Sequence, residues 1–128
     1  MRALIVEDDR VKAGWIEQVF SDRNWAFDWV DCASSCLDKL RKESYDILIL
    51  DLMIPWESGE LEDFPDSRNS SIVIAEIGAG TCLVPGYVVG ITQSEIVRDQ
   101  CQEIFAASGW IILGYEGGID WRKLFAER

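Results

Sequence analysis

Two sets of acids stand where apolar runs stop. Glu7-Asp8-Asp9 follows Leu4-Ile5-Val6, and Asp51 closes the run in Tyr45-Asp-Ile-Leu-Ile-Leu-Asp51-Leu-Met-Ile-Pro55. A short apolar run bounded by polar residues reads as a strand buried on both faces, as in the middle of a parallel sheet. The C-terminal ends of such strands form the edge where open α/β sheets bind ligands. An acid there is costly unless something uses its charge. If the two strands are neighbours, Glu7, Asp8 and Asp51 converge on one pocket. Three carboxylates within about 5 Å repel one another and raise the pKa of at least one of them unless a cation is present. Mg²⁺ suits such a set, because it takes one or two carboxylates and keeps several waters. The same geometry makes Asp51 a nucleophile toward phosphorus, with the metal neutralising the transferring oxygens. Thr92, at the end of a later apolar run, is placed to donate a hydrogen bond to an aspartyl phosphate. The plainer readings are a helix cap for Asp8 or Asp9, and an N-cap or turn for Asp51.

The elements that would position these residues alternate along the chain. The pattern predicts β1 over 2–6 and an amphipathic α1 over 10–22, with Val11, Trp15, Ile16, Val19 and Phe20 at helical spacing. A second strand, β2, is expected over 25–30, and α2 over 33–43, where Lys39, Arg41 and Lys42 suit the C-terminal end of the helix dipole. The acid-tipped run is β3. Residues 52–69, rich in acids and carrying two prolines, read as a long loop of the kind that is functional or mobile. Residues 70–80 have strand propensity (Ile72, Val73, Ile74, Ile77). A crossover between parallel neighbours nevertheless requires a helix there, α3, ended by Gly78 and Gly80. Then follow β4 over 87–92, α4 capped by Ser94 or Thr92 and stopped by Gly109, β5 over 110–113, a turn at Gly117-Gly118 and α5 over 119–126. In α4, Ile96, Val97, Cys101, Ile104 and Phe105 are predicted to share a face. Five strands alternating with five helices predict one domain over residues 1–128, an α/β three-layer sandwich with a parallel sheet. With β1 and β3 adjacent, the strand order is 2-1-3-4-5.

Composition narrows the function. The 12 basic and 23 acidic residues leave a net charge of −11, which argues against this domain gripping nucleic acid or an anionic membrane. Hydrophobic residues make up 48% of the 128, enough for one core without disulfides. There is no histidine, so the chain has no histidine base, no phosphohistidine and no His-containing zinc site. Cys32, Cys36, Cys82 and Cys101 form no C-x-x-C and read as buried free thiols, with a Cys32–Cys36 bridge the minor alternative. No apolar run is long enough for a transmembrane helix and no signal-peptide pattern precedes the acids, so a cytoplasmic location is expected.

Leu-Ile-Val-Glu-Asp-Asp near the start, the 44-residue step from Glu7 to Asp51 and the D-x-M-x-P tail resemble the receiver domain of two-component response regulators. The resemblance implies a flavodoxin-like fold and a module for phosphorelay signal transduction rather than an enzyme. It implies Asp51 as phosphoacceptor, Mg²⁺ held by Glu7, Asp8, Asp51 and the backbone carbonyl of Met53, and Thr92 as switch hydroxyl. The implied phosphodonor is a histidine kinase or phosphotransfer protein. The α4-β5-α5 face would carry homodimer or effector contacts. Trp110, Tyr115 and Trp121 lie near that face, and each Trp reads as core, although six Trp suggest that one is exposed.

Two departures stand out. The residues after β5, Gly114-Tyr115-Glu116, include no lysine to pair with a phosphoryl group, and Thr92 is followed by Gln93 rather than a small residue. These favour the alternative of a pseudo-receiver, the same fold serving as a phosphorylation-independent protein-interaction module. Other Asp-dependent or phosphate-binding uses of the fold fit less well. A haloacid-dehalogenase-like phosphatase needs an acid where Met53 stands, and acids after β1 would repel a flavin phosphate.

Overall fold

The computed structural model describes residues 1–59 and 67–114. Its strands are β1 (Arg2–Val6), β2 (Ala26–Val30), β3 (Ile47–Asp51), β4 (Tyr87–Ile91) and β5 (Ile111–Leu113). Its helices are α1 (Arg10–Asp22), α2 (Ala33–Lys42), α3 (Arg68–Ala79) and α4 (Glu95–Ala107). All strand pairs are parallel and the order is β2-β1-β3-β4-β5. This is the flavodoxin-like arrangement that the sequence predicts. The predicted Gly117-Gly118 turn and α5 lie outside the described residues.

Alternation along the strands divides the core in two. Leu4, Val6, Leu48, Leu50 and Val88 face α2, α3 and α4, while Ala3, Ile5, Ile47, Ile49 and Val89 face α1. Burial on both sides explains why β3 reads as an unbroken apolar run.

The crossover argument holds against strand propensity, since 68–79 is helical. Gly78 lies within α3, and Gly80 alone ends it, with φ +74. That left-handed conformation is the one glycine adopts without strain. The start of β2 differs by one residue. Asn24 has φ 57, and the Trp25 N–H still closes onto the Phe20 carbonyl, so pairing begins at Ala26.

Helical spacing overstated two apolar faces. Val11 and Trp15 are 63% and 62% exposed, and Ile96 and Ile104 are 72% and 49% exposed. Each helix seats only a narrow stripe on the sheet. In α1 that stripe is Ala13, Ile16 and Phe20, and in α4 it is Val97, Cys101 and Phe105.

The first part of the long connection after β3 is built into the body rather than loose. Leu52 and Ile54 are buried, Leu52 N–H donates to the Ile91 carbonyl, and the Ser70 hydroxyl donates to the Leu52 carbonyl. The N-cap of α2, Cys32, makes no side-chain cap bond. The backbone N–H groups of Ala33 and Ser34 instead donate to the carbonyls of Pro55 and Trp56, at 3.0 and 2.9 Å. These bonds satisfy donors that a helix N-terminus otherwise leaves open. All four cysteines are free, with Cys82 half-buried and the others buried. No helix among the described residues is long and apolar enough to cross a membrane.

Close approach of backbones limits the N-terminal edge of the sheet. A Cβ on Gly86 would stand 2.7 Å from the Asp46 carbonyl oxygen, a backbone atom that cannot swing aside. Gly86→Ala is expected to force β3 and β4 apart at their entry and to destabilise the fold by about 1–3 kcal/mol. Urea unfolding of the two proteins checks this.

Candidate functional site

Strand register brings the predicted acids together. Val6 pairs with Leu50, so the next residues, Glu7 and Asp51, leave adjacent strand tips on the same edge. Glu7 N–H continues the ladder on the other side, to the Val30 carbonyl at 3.1 Å. Glu7 is buried, Asp8 exposed and Asp51 half-buried, and one carboxylate oxygen from each lies within 4.8 Å of the others.

The third acid of the first cluster has a separate task. Asp9 is the N-cap of α1, its carboxylate accepting from Val11 N–H at 2.9 Å and Lys12 N–H at 3.3 Å. The Asp9 N–H in turn donates to Glu7 Oε1, at 3.1 Å, which fixes the Glu7 side chain. The helix-cap alternative therefore accounts for Asp9 only.

Asp51 Oδ1 accepts from the Met53 N–H at 3.0 Å. Burial, followed by the charge of Glu7 and a hydrogen bond with it, holds the Asp51 pKa well above the ordinary aspartate range. Asp8 adds to the rise, and the Met53 N–H opposes it. The opposite end of the sheet shows the contrast. There Glu43 meets Arg2 at 2.7 Å and Lys39 at 3.3 Å, and these partners, Arg2 first, lower its pKa to about 2. Asp28 and Glu43 at that end have arginine or lysine partners, whereas Glu7, Asp8 and Asp51 crowd one another.

The acids line a cleft of about 500 Å³ together with Lys12, Met53 and Thr92. Thr92 is buried, and its hydroxyl donates to Met53 Sδ at 3.7 Å and accepts from the Ser94 N–H at 3.1 Å. It thus shares the cleft with Asp51 while bonded to Met53 and Ser94. Ser94, not Thr92, caps α4, accepting from the Val97 N–H at 3.2 Å.

The donor set fits Mg²⁺. Oxygens bound to an octahedral Mg²⁺ at about 2.1 Å lie about 3–4 Å apart, so a small contraction of the carboxylate array would complete that part of the shell. The donors are hard oxygens and one of the three acids is exposed, which leaves room for waters.

The architecture aligns with solved structures. A CheY-like response regulator receiver domain protein from Methanospirillum hungatei JF-1 superposes with TM-score 0.69, at 14% identity, over 98% of this chain and 88% of that one. The chain has the receiver fold. The receiver domain of sensor histidine kinase PA1611 from Pseudomonas aeruginosa PAO1, solved with a magnesium ion coordinated in its active site cleft, superposes with TM-score 0.62 at 18% identity, over 88% of this chain and 83% of that one. Among curated sequences, transcriptional activator protein IrlR of Burkholderia pseudomallei (strain 1026b) is 34% identical over 59 residues. That match covers 46% of this chain and 26% of IrlR, so the chain spans about a quarter of this relative's length. No protein-family model matches the chain.

Within the receiver fold, Glu7, Asp8, Asp51, Met53 and Thr92 share one cleft. Three contributors were not anticipated. Lys12 lies one helical turn after Asp8, a spacing legible in the sequence once α1 is drawn. Trp29 donates its indole N–H to the Glu7 carbonyl at 3.0 Å, beneath the Arg10 guanidinium, whose carbon is 4.6 Å from the ring centroid. Both contacts depend on strand pairing and have no local signal. Trp110 is half-buried and edge-on to Phe105 at 5.7 Å, which agrees with a core role. Among the described residues, the exposed tryptophan that the Trp content suggested is Trp15, on α1. Tyr115 and Trp121 lie outside the described residues.

Proposed function

We propose that the chain is a phosphoacceptor module in phosphorelay signalling, with Asp51 as the acceptor and a histidine kinase or phosphotransfer protein as donor. The observation that carries this reading is the convergence of Glu7, Asp8 and Asp51 at the tips of β1 and β3, with oxygens within 4.8 Å. Glu7, Asp8, Asp51 and the Met53 carbonyl would hold Mg²⁺. When bound, the ion offsets the acids' mutual repulsion and neutralises charge on the transferring oxygens.

An Asp51 carboxylate oxygen attacks the phosphorus of the donor. The new O–P bond forms as the donor's P–N bond breaks, and the departing imidazole nitrogen takes a proton from solvent water. The Met53 N–H orients Asp51 for attack. Thr92 exchanges its weak thioether contact for the phosphoryl oxygen, a far better acceptor.

The test is incubation with acetyl phosphate and Mg²⁺ followed by intact-protein mass, with Asp51→Asn as control. One phosphoryl group on the wild type and none on the variant is expected. No gain on the wild type leaves the binding-module reading, which the missing lysine after β5 favours. Trp29 supplies a second readout. Mg²⁺ is expected to change tryptophan emission, and Trp29→Phe to remove most of that change, because this indole donates to the Glu7 carbonyl.

A further inference from the structure

A second cleft, of about 560 Å³, adjoins the acids. It shares Thr92, Gln93 and Ser94 with the first and is lined on its far side by Glu95, Arg98, Leu113 and Gly114. Arg98 lies one turn into α4, its N–H donating to the carbonyl of the cap residue Ser94 at 3.0 Å. Its guanidinium leans over the tip of β5. A Cβ on Gly114 would stand 3.0 Å from Arg98 Nη2 and 3.5 Å from the Thr92 carbonyl oxygen. The guanidinium therefore rests against the space that any side chain at 114 would need, beside the backbone of Thr92. Arg98 is half-buried, and among the described residues it has no ion-pair partner.

Charge gives this placement a use. Converting the Asp51 carboxylate to an acyl phosphate replaces one negative charge with nearly two, in a site that already holds Glu7 and Asp8. One divalent cation cannot balance that set. Lys12 contributes from the α1 side of the cleft. On the Thr92 side the described cation is Arg98, and a guanidinium presents paired N–H donors that match phosphoryl oxygens.

We propose that Arg98 is a further cation of the phosphoacceptor site, beside the divalent ion and Lys12, its guanidinium engaging a phosphoryl oxygen on Asp51 from the α4 side, with Gly114 leaving it room. This rests on phosphoryl acceptance by Asp51. It also gives α4 a direct link to the modification, because the residue that senses the phosphoryl group is part of that helix.

The experiment titrates beryllofluoride, a phosphoryl mimic, into Mg²⁺-loaded wild type, Arg98→Ala, Arg98→Lys and Gly114→Val, and measures Mg²⁺ affinity separately. Arg98→Ala is expected to weaken beryllofluoride binding about tenfold or more, the value of a charge-assisted hydrogen bond, while Mg²⁺ affinity stays within about twofold. Arg98→Lys is expected to recover part of the loss. Gly114→Val keeps every charge but displaces the guanidinium, and is expected to weaken binding as well. Wild-type affinity for beryllofluoride in both Arg98→Ala and Gly114→Val would overturn the Arg98 assignment and leave the phosphoacceptor reading intact. A wild type that binds Mg²⁺ but never beryllofluoride would overturn both.

Discussion

Replacing Asp51 with Asn is expected to stabilise the protein in the absence of metal and to abolish its stabilisation by Mg²⁺. Asp51 stands with Glu7 and Asp8 in one cleft, and burial and these neighbours hold its pKa well above the usual range. A carboxyl pKa raised in the folded state means that the folded state holds the proton more tightly than the unfolded chain. The resulting stability is fully present below the unfolded pKa and is lost as pH rises through the folded value. At neutral pH the metal-free wild type thus carries an electrostatic penalty. Removing the charge from beside Glu7 and Asp8 is therefore expected to stabilise the metal-free fold. The gain should shrink as pH falls toward the ordinary aspartate value, where the wild type also loses its charge. Added Mg²⁺ should reverse the order, raising the wild-type melting temperature and leaving Asp51→Asn unchanged. Melting curves with EDTA and with Mg²⁺, at neutral and mildly acidic pH, check both statements. Equal melting of the two proteins in EDTA at neutral pH would show that the acids do not interact.

The second large effect lies behind β4. Phe105 is fully buried against the bare Cα of Gly90, where an added Cβ would come within 2.8 Å of its ring, and it meets Trp110 edge-on. Phe105→Ala removes the ring and leaves a cavity that sheet and helix cannot close. A loss of about 3–5 kcal/mol is expected, a large part of the stability of an ordinary domain. Because Phe105 anchors the helix that carries Arg98, hydrogen exchange in α4 and β5 should rise more than in β1 and β3. Uniform loss of protection would mean that α4 does not open separately.

Strand positions and the acid pocket were legible because both rest on local pattern. Apolar runs of strand length ending in acids survive folding unchanged, and Asp51 is half-buried at such a tip. The helix over 68–79 was legible only through topology, since its β-branched residues point the other way. The exposure of Val11, Trp15, Ile96 and Ile104 was not legible, because spacing finds the apolar residues of a helix but not the width of the stripe that the sheet covers. The Trp29 bond to Glu7 and the seat of Arg98 over Gly114 were illegible for another reason. Both join residues distant in sequence through strand order and backbone proximity.

The way α2 begins has an engineering consequence. Its opening N–H groups borrow their acceptors from Pro55 and Trp56, so the helix and the segment beyond Asp51 behave as one transplantable unit. The acceptors are main-chain carbonyls, so a chimera that exchanges residues 52–56 alone would keep them only where the new segment follows the same backbone path; one that redirects it would strip the start of α2, even though no residue of the helix had changed. Swapping both together would keep that junction whole.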